Sequence, residues 1–230
     1  MTARGLFVTG TDTGVGKTLV STALLQLFVE QGLRAVGMKP IAAGCERREG
    51  VLVNEDVELL RAAGNVSVPR DLMNPYAFES PIAPHLAARQ AGEPIAIARV
   101  TECYERLARE ADVVIVEGAG GWLVPLNETD TMADLALRLG LPLILVVGMR
   151  LGCLNHALLT VEAIERRGLE LAGWVANRID PNMDGFDGNL ATLAGRISAP
   201  LLGVIPSLVQ PVNPLSVRGF IGIPPAGLIH

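Results

Sequence analysis

A glycine-rich stretch near the amino terminus constrains the fold of this chain most strongly. It runs Gly10-Thr11-Asp12-Thr13-Gly14-Val15-Gly16-Lys17-Thr18, after the apolar residues 6–8 and before apolar residues at helical spacing that end at Gly32. Glycines let backbone N–H groups turn onto phosphate oxygens, and a helix that follows adds its positive amino-terminal end. The stretch therefore predicts a strand, a phosphate-binding loop and a helix. Lys17 is expected on the β- and γ-phosphates, and the Thr18 hydroxyl on Mg²⁺.

The spacing of this loop departs slightly from the common form. Five residues rather than four separate Gly10 from Gly16-Lys17-Thr18, which predicts a loop one residue longer than usual. The alternative is a glycine-rich turn with an incidental lysine. The strand before it and the helix after it favour the phosphate-binding interpretation.

The composition favours a parallel sheet covered by helices. Half of the residues are hydrophobic but only 4% are aromatic, so the core must be aliphatic, as in buried parallel strands. We predict one α/β domain over residues 1–230, a doubly wound, mostly parallel sheet of the P-loop NTPase type with helices on both faces. The predicted strands are residues 6–8, 35–38, 113–116, 143–147, 171–176 and 201–205. Residues 41–44 and 45–53 are expected to be loops, 54–63 a helix, and 65–84 an extended excursion.

Charge, hydropathy and cysteine content exclude several classes of protein. The net charge is −5 without a cluster of Lys and Arg, which argues against a nucleic-acid-binding surface. The longest apolar run, residues 141–147, is too short to span a bilayer. The amino terminus leaves no room for a signal peptide, so a cytoplasmic protein is expected. Cys45, Cys103 and Cys153 form no Cys-x-x-Cys pair, which predicts reduced thiols rather than disulfides or a zinc site.

Polar residues at strand ends are the candidate site residues, because open α/β sheets bind ligands beyond the carboxyl ends of their strands. Lys39 follows one predicted strand, and Glu117 follows another, before Gly118-Ala119-Gly120. A carboxylate at such a strand tip predicts a second ligand of Mg²⁺, the alternative being a solvated acid. By itself, Asp56 is an ordinary acid in the first turn of a helix. Asn177 is either a contact to a nucleotide base or a cap or turn residue.

Two further segments could bind ligands. A helix predicted over residues 155–167 would leave N–H groups near residues 152–155 free to bind a second anion. The proline-rich segment 65–84 has the length of a binding loop. His85 follows it, either as a ligand contact or as a partly buried structural histidine.

In this order, the motifs resemble those of the ATP-dependent dethiobiotin synthetases over nearly the whole chain. The residues that carry the resemblance are 10–18, Met38-Lys39-Pro40, Asn74-Pro75-Tyr76, Pro84-His85, Val116-Glu117-Gly118-Ala119-Gly120-Gly121-Trp122, Gly152-Cys153-Leu154-Asn155-His156 and Ala172-Gly173-Trp174-Val175-Ala176-Asn177. The resemblance implies ring closure of 7,8-diaminononanoate with CO₂ and ATP to give dethiobiotin. The product would form through a carbamate and its phosphorylated anhydride, with ADP and phosphate released.

The resemblance also implies roles for individual residues. Lys17, Lys39 and Thr13 would be catalytic, and Thr18, Asp56 and Glu117 would hold Mg²⁺. The residues implied to contact ATP and its metal are Asp12, Thr13, Gly14, Val15, Gly16, Lys17, Thr18, Asp56, Glu117, Gly118, Ala119, Gly120, Asn177, Arg178, Pro206, Ser207 and Leu208.

On the substrate side, the resemblance implies contacts from Ala43 and from the Gly152-Cys153-Leu154-Asn155 turn of the partner chain in a homodimer. Three positions depart from residues found in some members of the family. Gly14 stands in place of a glutamate, Ala43 in place of a serine and Arg178 in place of an acid. The lost hydroxyl at Ala43 would weaken substrate binding by roughly 0.5–1.5 kcal/mol.

The main alternative is a nucleotide-dependent switch, a ParA/MinD-like ATPase of similar topology. Such loops usually carry an extra lysine early in the motif, and residues 10–13 have none. A GTPase would read guanine with Asn177-Arg178-Ile179-Asp180. An arginine stands there in the place of the lysine expected second in that element.

Overall fold

The computed structural model describes residues 4–208 and 214–225. The strands are β1 (Arg4–Gly10), β2 (Ala35–Met38), β3 (Ile41–Ala43), β4 (Glu46–Arg48), β5 (Val51–Val53), β6 (Tyr76–Phe78), β7 (Val113–Glu117), β8 (Leu143–Gly148), β9 (Leu171–Asn177) and β10 (Leu201–Ile205). The helices are α1 (Lys17–Glu30), α2 (Glu55–Ala63), α3 (Arg70–Met73), α4 (Pro84–Ala91), α5 (Ile97–Glu110), α6 (Met132–Leu139), α7 (Cys153–Arg166) and α8 (Phe186–Arg196), with a 3₁₀ helix at Pro214–Phe220.

The central sheet has six strands in the order β10-β9-β8-β1-β7-β2, and every neighbouring pair in it is parallel. The chain winds from β1 towards β2 on one side and from β8 towards β10 on the other. This confirms the predicted doubly wound sheet. All six carboxyl ends meet at one edge, and the direction of winding reverses beside β1, where such sheets bind ligands.

Alternate residues of the central strands face opposite layers of helices. Leu6 and Val8 pack with buried residues of α1 and α2, whereas Phe7 packs with buried residues of α5 and α6. Helices therefore cover both faces, as predicted. Within the described parts of the chain, no helix combines the length and apolar character needed to cross a bilayer.

The structure corrects three local predictions. Residues 41–43 are not a loop but β3, which pairs in parallel with β6. Residues 45–53 contain a hairpin of β4 and β5. Its turn has positive φ at Glu49 (51°) and Gly50 (83°), typical of a tight hairpin. Helix α7 begins at Cys153, two residues earlier than predicted.

These errors share a physical cause. The three residues of β4 are all charged and exposed, so no hydrophobic alternation marks the strand. The partner of β3 lies 35 positions further along the chain, at Tyr76. Of the unassigned carboxyl-terminal stretch, residues 214–220 form the 3₁₀ helix, while 209–213 and 226–230 lie outside the described residues. The assignment of residues 1–230 to one domain stays a prediction.

Helix α6 has a capping box at its amino terminus. The Asp134 carboxylate accepts hydrogen bonds from the backbone N–H and the hydroxyl of Thr131, and it also accepts one from Arg167 at 2.6 Å. Burial alone would raise the pKa of Asp134, but these hydrogen bonds and the charge of Arg167 lower it to about 2. The ionised carboxylate therefore fixes the start of α6 and ties it to the end of α7.

Candidate active site

The phosphate-binding loop joins β1 to α1 in the middle of the sheet. Gly16, the residue before α1, has a φ of 94°, in the left-handed region that favours glycine. A Cβ atom there would lie 2.3 Å from Nδ2 of Asn177, so packing requires glycine as well. No side chain caps α1, which leaves its first N–H groups available to an anion.

Lys17 begins α1 and is almost completely buried. Its ammonium group donates a hydrogen bond to the carbonyl oxygen of Asp12 at 3.0 Å. Burial, followed by the charge of Lys39, lowers the pKa of Lys17 to about 8. A bound polyanion would therefore favour the protonated form of Lys17, since added negative charge raises the pKa of a nearby amine.

Four polar side chains from separate elements meet beside this loop. The Lys39 ammonium lies 2.5 Å from Oε1 of Glu117 and 2.9 Å from Oδ2 of Asp56. The Thr18 hydroxyl donates to the same Glu117 oxygen at 2.8 Å. Burial alone would lower the pKa of Lys39, but Glu117 and Asp56 outweigh burial and raise it. Burial would raise the pKa of Asp56, but Lys39 lowers it.

This cluster suits Mg²⁺. Glu117 is completely buried, yet its Oε2 atom has no hydrogen-bond partner among the described residues, and a buried carboxylate oxygen needs one. Mg²⁺ in nucleotide sites takes one or two carboxylates together with phosphate oxygens and waters. Thr18, Asp56 and Glu117 supply two carboxylates and a hydroxyl, so they fit the ion.

A cavity of about 700 Å³ opens over the loop and the cluster. The residues predicted for the site that line it are Thr13, Gly14, Gly16, Lys17, Thr18, Lys39, Ala43, Asp56, Glu117, Ala119 and Gly120. Of the lining residues, Lys17 and Thr18 belong to the phosphate-binding loop, and Lys39, Asp56 and Glu117 to the cluster beside it. The cavity thus joins an anion site to space for a second molecule.

The rest of the cavity wall is largely apolar, and it was not predicted from the sequence. It consists of Ile41, Ala42, Pro81, Ile82, Ala83, Pro84 and Val124, with the polar Asn54 beside them. The four prolines of residues 65–84 were the available signal, since they indicated a binding loop. His85, one residue beyond, lines a separate cavity of about 400 Å³.

The candidate base contacts gather at two neighbouring strand ends, outside the lining of the 700 Å³ cavity. Asn177 ends β9, and its amide donates to the carbonyl oxygen of Val15 at 2.8 Å. The Arg178 guanidinium lies 4.8 Å from the ring centroid of Phe186, and the backbone N–H of Arg178 donates to the last residue of β10. Residues 206–208 follow β10. Gly118 and Val15 are likewise not among the residues that line this cavity.

None of residues 152–155 lines the 700 Å³ cavity of its own chain. Gly152 has a φ of 95°, and no side chain caps α7, so N–H groups at this helix start are available to an anion. Leu151 is 94% exposed, and Leu123 and Leu159 are more than half exposed. The last two line a further cavity of about 440 Å³ together with Asp12 and Thr13.

Comparisons with known proteins place this site in a family. A family model described as an AAA domain matches residues 4–214. A protein of Aromatoleum aromaticum named ATP-dependent dethiobiotin synthetase BioD is 53% identical over 221 residues, 96% of this chain and 98% of that protein. One of Nitrosospira multiformis with the same name is 55% identical over 203 residues, 88% of each chain. This chain belongs to the ATP-dependent dethiobiotin synthetase family. It is an ATP-dependent ligase.

The fold extends to more distant proteins. The septum site-determining protein MinD complexed with Mg-ADP from Pyrococcus horikoshii is 16% identical, with a TM-score of 0.55 over 90% of this chain and 82% of that chain. At this identity the likeness concerns the fold alone. Membership of the synthetase family does not favour the alternative of a ParA/MinD-like switch.

Proposed function

We propose that this synthetase closes the cyclic urea of dethiobiotin from 7,8-diaminononanoate, CO₂ and ATP, a step in biotin biosynthesis. One amine adds to CO₂ and loses a proton to give a carbamate. A carbamate oxygen attacks the γ-phosphorus and displaces ADP. The second amine then attacks the carbonyl carbon, loses its proton and displaces phosphate, which closes the ring.

The arrangement of Lys17, Lys39 and Glu117 beside a partly apolar cavity carries this proposal. Phosphoryl transfer depends mainly on positioning and charge neutralisation. Lys17 lines the cavity from the loop and would reach the transferring phosphate. Lys39 lines the same cavity beside Asp56 and Glu117, and a carbamate bound there would meet its ammonium group. Thr13 lines the same cavity and would donate its hydroxyl to the carbamate. The apolar wall, with Ala43, suits an aliphatic chain.

Mg²⁺ would be held by Thr18, Asp56 and Glu117 and would neutralise charge on the β- and γ-phosphates. For the adenine, we assign Asn177 and Arg178 together with Pro206, Ser207 and Leu208. The hydrogen bond from the Asn177 amide to the carbonyl oxygen of Val15 supports this, because it joins the end of β9 to the phosphate-binding loop. The cytoplasmic location stays a prediction.

Incubation with Mg-ATP, ¹³C-labelled bicarbonate and 7,8-diaminononanoate tests the reaction. The expected product is dethiobiotin, one mass unit heavier because its ureido carbon comes from bicarbonate, with ADP formed alongside. Lys39→Ala should abolish product formation while nucleotide binding stays measurable. Failure to form dethiobiotin, with ATP hydrolysis stimulated by DNA or membrane vesicles, would favour a nucleotide switch instead.

We further propose a homodimer in which the partner's turn at residues 152–155 binds the carboxylate of the substrate. Two observations support it: none of residues 152–155 lines the 700 Å³ cavity of its own chain, and Leu151, directly before the turn, is 94% exposed, with Leu123 and Leu159 more than half exposed. Such apolar side chains suit a twofold interface.

Mixing two inactive variants tests the shared site. Asn155→Asp, an isosteric change at an exposed helix start, should repel the carboxylate without unfolding α7. Random mixing of this variant with Lys39→Ala should restore about a quarter of wild-type activity, because each mixed dimer regains one complete site. No recovery in dimers shown to have mixed would contradict a shared site.

A further inference from the structure

Arg150 forms a long-range contact with the phosphate-binding loop. It lies between β8 and α7 and does not line the 700 Å³ cavity. Its guanidinium donates to Oδ2 of Asp12 at 2.5 Å, across 138 positions of the chain. Both side chains are almost half exposed, and exposed ion pairs contribute little to stability. The main effect of this pair is therefore to position the side chain of Asp12 rather than to stabilise the fold.

Asp12 holds its neighbours in the loop through three acceptor atoms. Its Oδ1 atom accepts the backbone N–H of Thr13 at 2.7 Å, and Oδ2 accepts the Arg150 guanidinium. Its carbonyl oxygen accepts the Lys17 ammonium at 3.0 Å. Asp12 thus holds the backbone N–H of Thr13 and the side chain of Lys17, and both of these residues line the cavity.

Strand β8 supports the same part of the loop through the backbone. The N–H of Thr11 donates to the carbonyl oxygen of Val146 at 3.0 Å, and the N–H of Gly148 donates to the Thr11 hydroxyl at 3.3 Å. Arg150, two residues after Gly148, adds a side-chain contact from the same segment to Asp12. The loop is therefore anchored on the β8 side at residues 11 and 12 and on the β9 side at Val15.

We infer that Arg150 is a positioning residue for phosphoryl transfer, which holds Asp12 so that Thr13 and Lys17 face the reacting groups. This rests on the proposed function for the identity of the acceptor. The contact is a single charge-assisted hydrogen bond from Nη2 of Arg150, so a lysine ammonium keeps its charge but not the rigid, planar placement of its donor. Small misplacements of reacting groups cost far more in rate than in binding.

The test compares Arg150→Gln, Arg150→Lys, Asp12→Asn and the double variant Arg150→Gln/Asp12→Asn. Arg166→Gln on α7 is the matched control, because Arg166 pairs with Glu162 on the surface. We expect Arg150→Gln to lower kcat on the order of 10–100-fold. We expect KM for the diamine, the Kd for a fluorescent ATP analogue and the melting temperature to stay close to wild type. Arg150→Lys should recover part of kcat.

The double variant should be no slower than the slower single variant, because both changes break the same contact. A wild-type kcat for Arg150→Gln, or losses that multiply in the double variant, would overturn the inference. A lower kcat accompanied by a similar-fold loss of nucleotide affinity and a lower melting temperature would show a merely structural role and would also overturn the inference.

The proposed function is tested on the wild-type protein alone, and the role of Arg150 on the ratio of variant to wild type. If the wild type forms no dethiobiotin, the proposed function fails. The same variants are then compared by their rates of Mg-ATP hydrolysis, which depend on the same loop. A slower hydrolysis by Arg150→Gln would support the positioning role, and a wild-type rate would overturn it.

Discussion

Replacing Lys39 by methionine should destabilise the protein, because it leaves a buried carboxylate without its cation. Glu117 is completely buried and Lys39 is 6% exposed, with 2.5 Å between the paired atoms. Removing one partner of a buried ion pair typically costs about 3–5 kcal/mol. The hydrogen bond from Thr18 to Glu117 is already present in the wild type, so it does not compensate for the lost ion pair. Methionine keeps a similar unbranched shape, so the loss of packing is small.

Urea unfolding without nucleotide, followed by circular dichroism, measures this loss. A loss of about 3–5 kcal/mol in a chain of this size corresponds to a fall of about 6–20 °C in melting temperature. The double variant Lys39→Met/Glu117→Gln should recover at least half of the lost stability, since the glutamine carries no charge into the interior.

Two results would refute this reasoning. The first is a Lys39→Met protein whose free energy of unfolding lies within about 1 kcal/mol of wild type. The second is a double variant no more stable than Lys39→Met, because the loss would then not come from the unpaired charge of Glu117. Either result would also weaken the view that this cluster is strongly desolvated.

Gly16→Ala should lower ATP affinity and stability together, because it adds about 1–2 kcal/mol of left-handed strain and forces the Asn177 amide to move. Gly32→Ala is the control, since a Cβ there meets nothing within 4 Å at a similarly positive φ and the residue lies just beyond the far end of α1. Equal effects, read by isothermal titration with ATP, would exclude the Asn177 clash as a cause. For Asp134→Asn, we expect a loss of about 1 kcal/mol near pH 7. Because folding lowers the pKa of Asp134 from 3.8 to about 2, this stabilisation is complete above about pH 5 and falls away between about pH 4 and 2. Chemical unfolding at pH 7 and pH 3 should therefore show a smaller difference from wild type at pH 3, and a pH-independent difference would contradict the linkage.

The sequence predicted the nucleotide half of the candidate site more fully than the substrate half. Lys17 and Thr18 belong to one local motif, and Lys39 and Glu117 end apolar strands whose carboxyl ends must share an edge in a parallel sheet. The apolar wall had no comparable local signal. Residues 41–43 read as a loop because their pairing partner, β6, lies far along the chain.

The phosphate-binding loop, the six parallel strands and the positions of the strand-end residues followed from the sequence by itself, because each depends on short-range periodicity and glycine placement. Only the tertiary structure decided that Lys39 lies between Asp56 and Glu117 and that Arg150 reaches Asp12. It also decided that residues 152–155 do not line the 700 Å³ cavity of their own chain. Contacts of this kind join residues distant in the chain, and their geometry depends on how helices and strands pack, which no local pattern encodes.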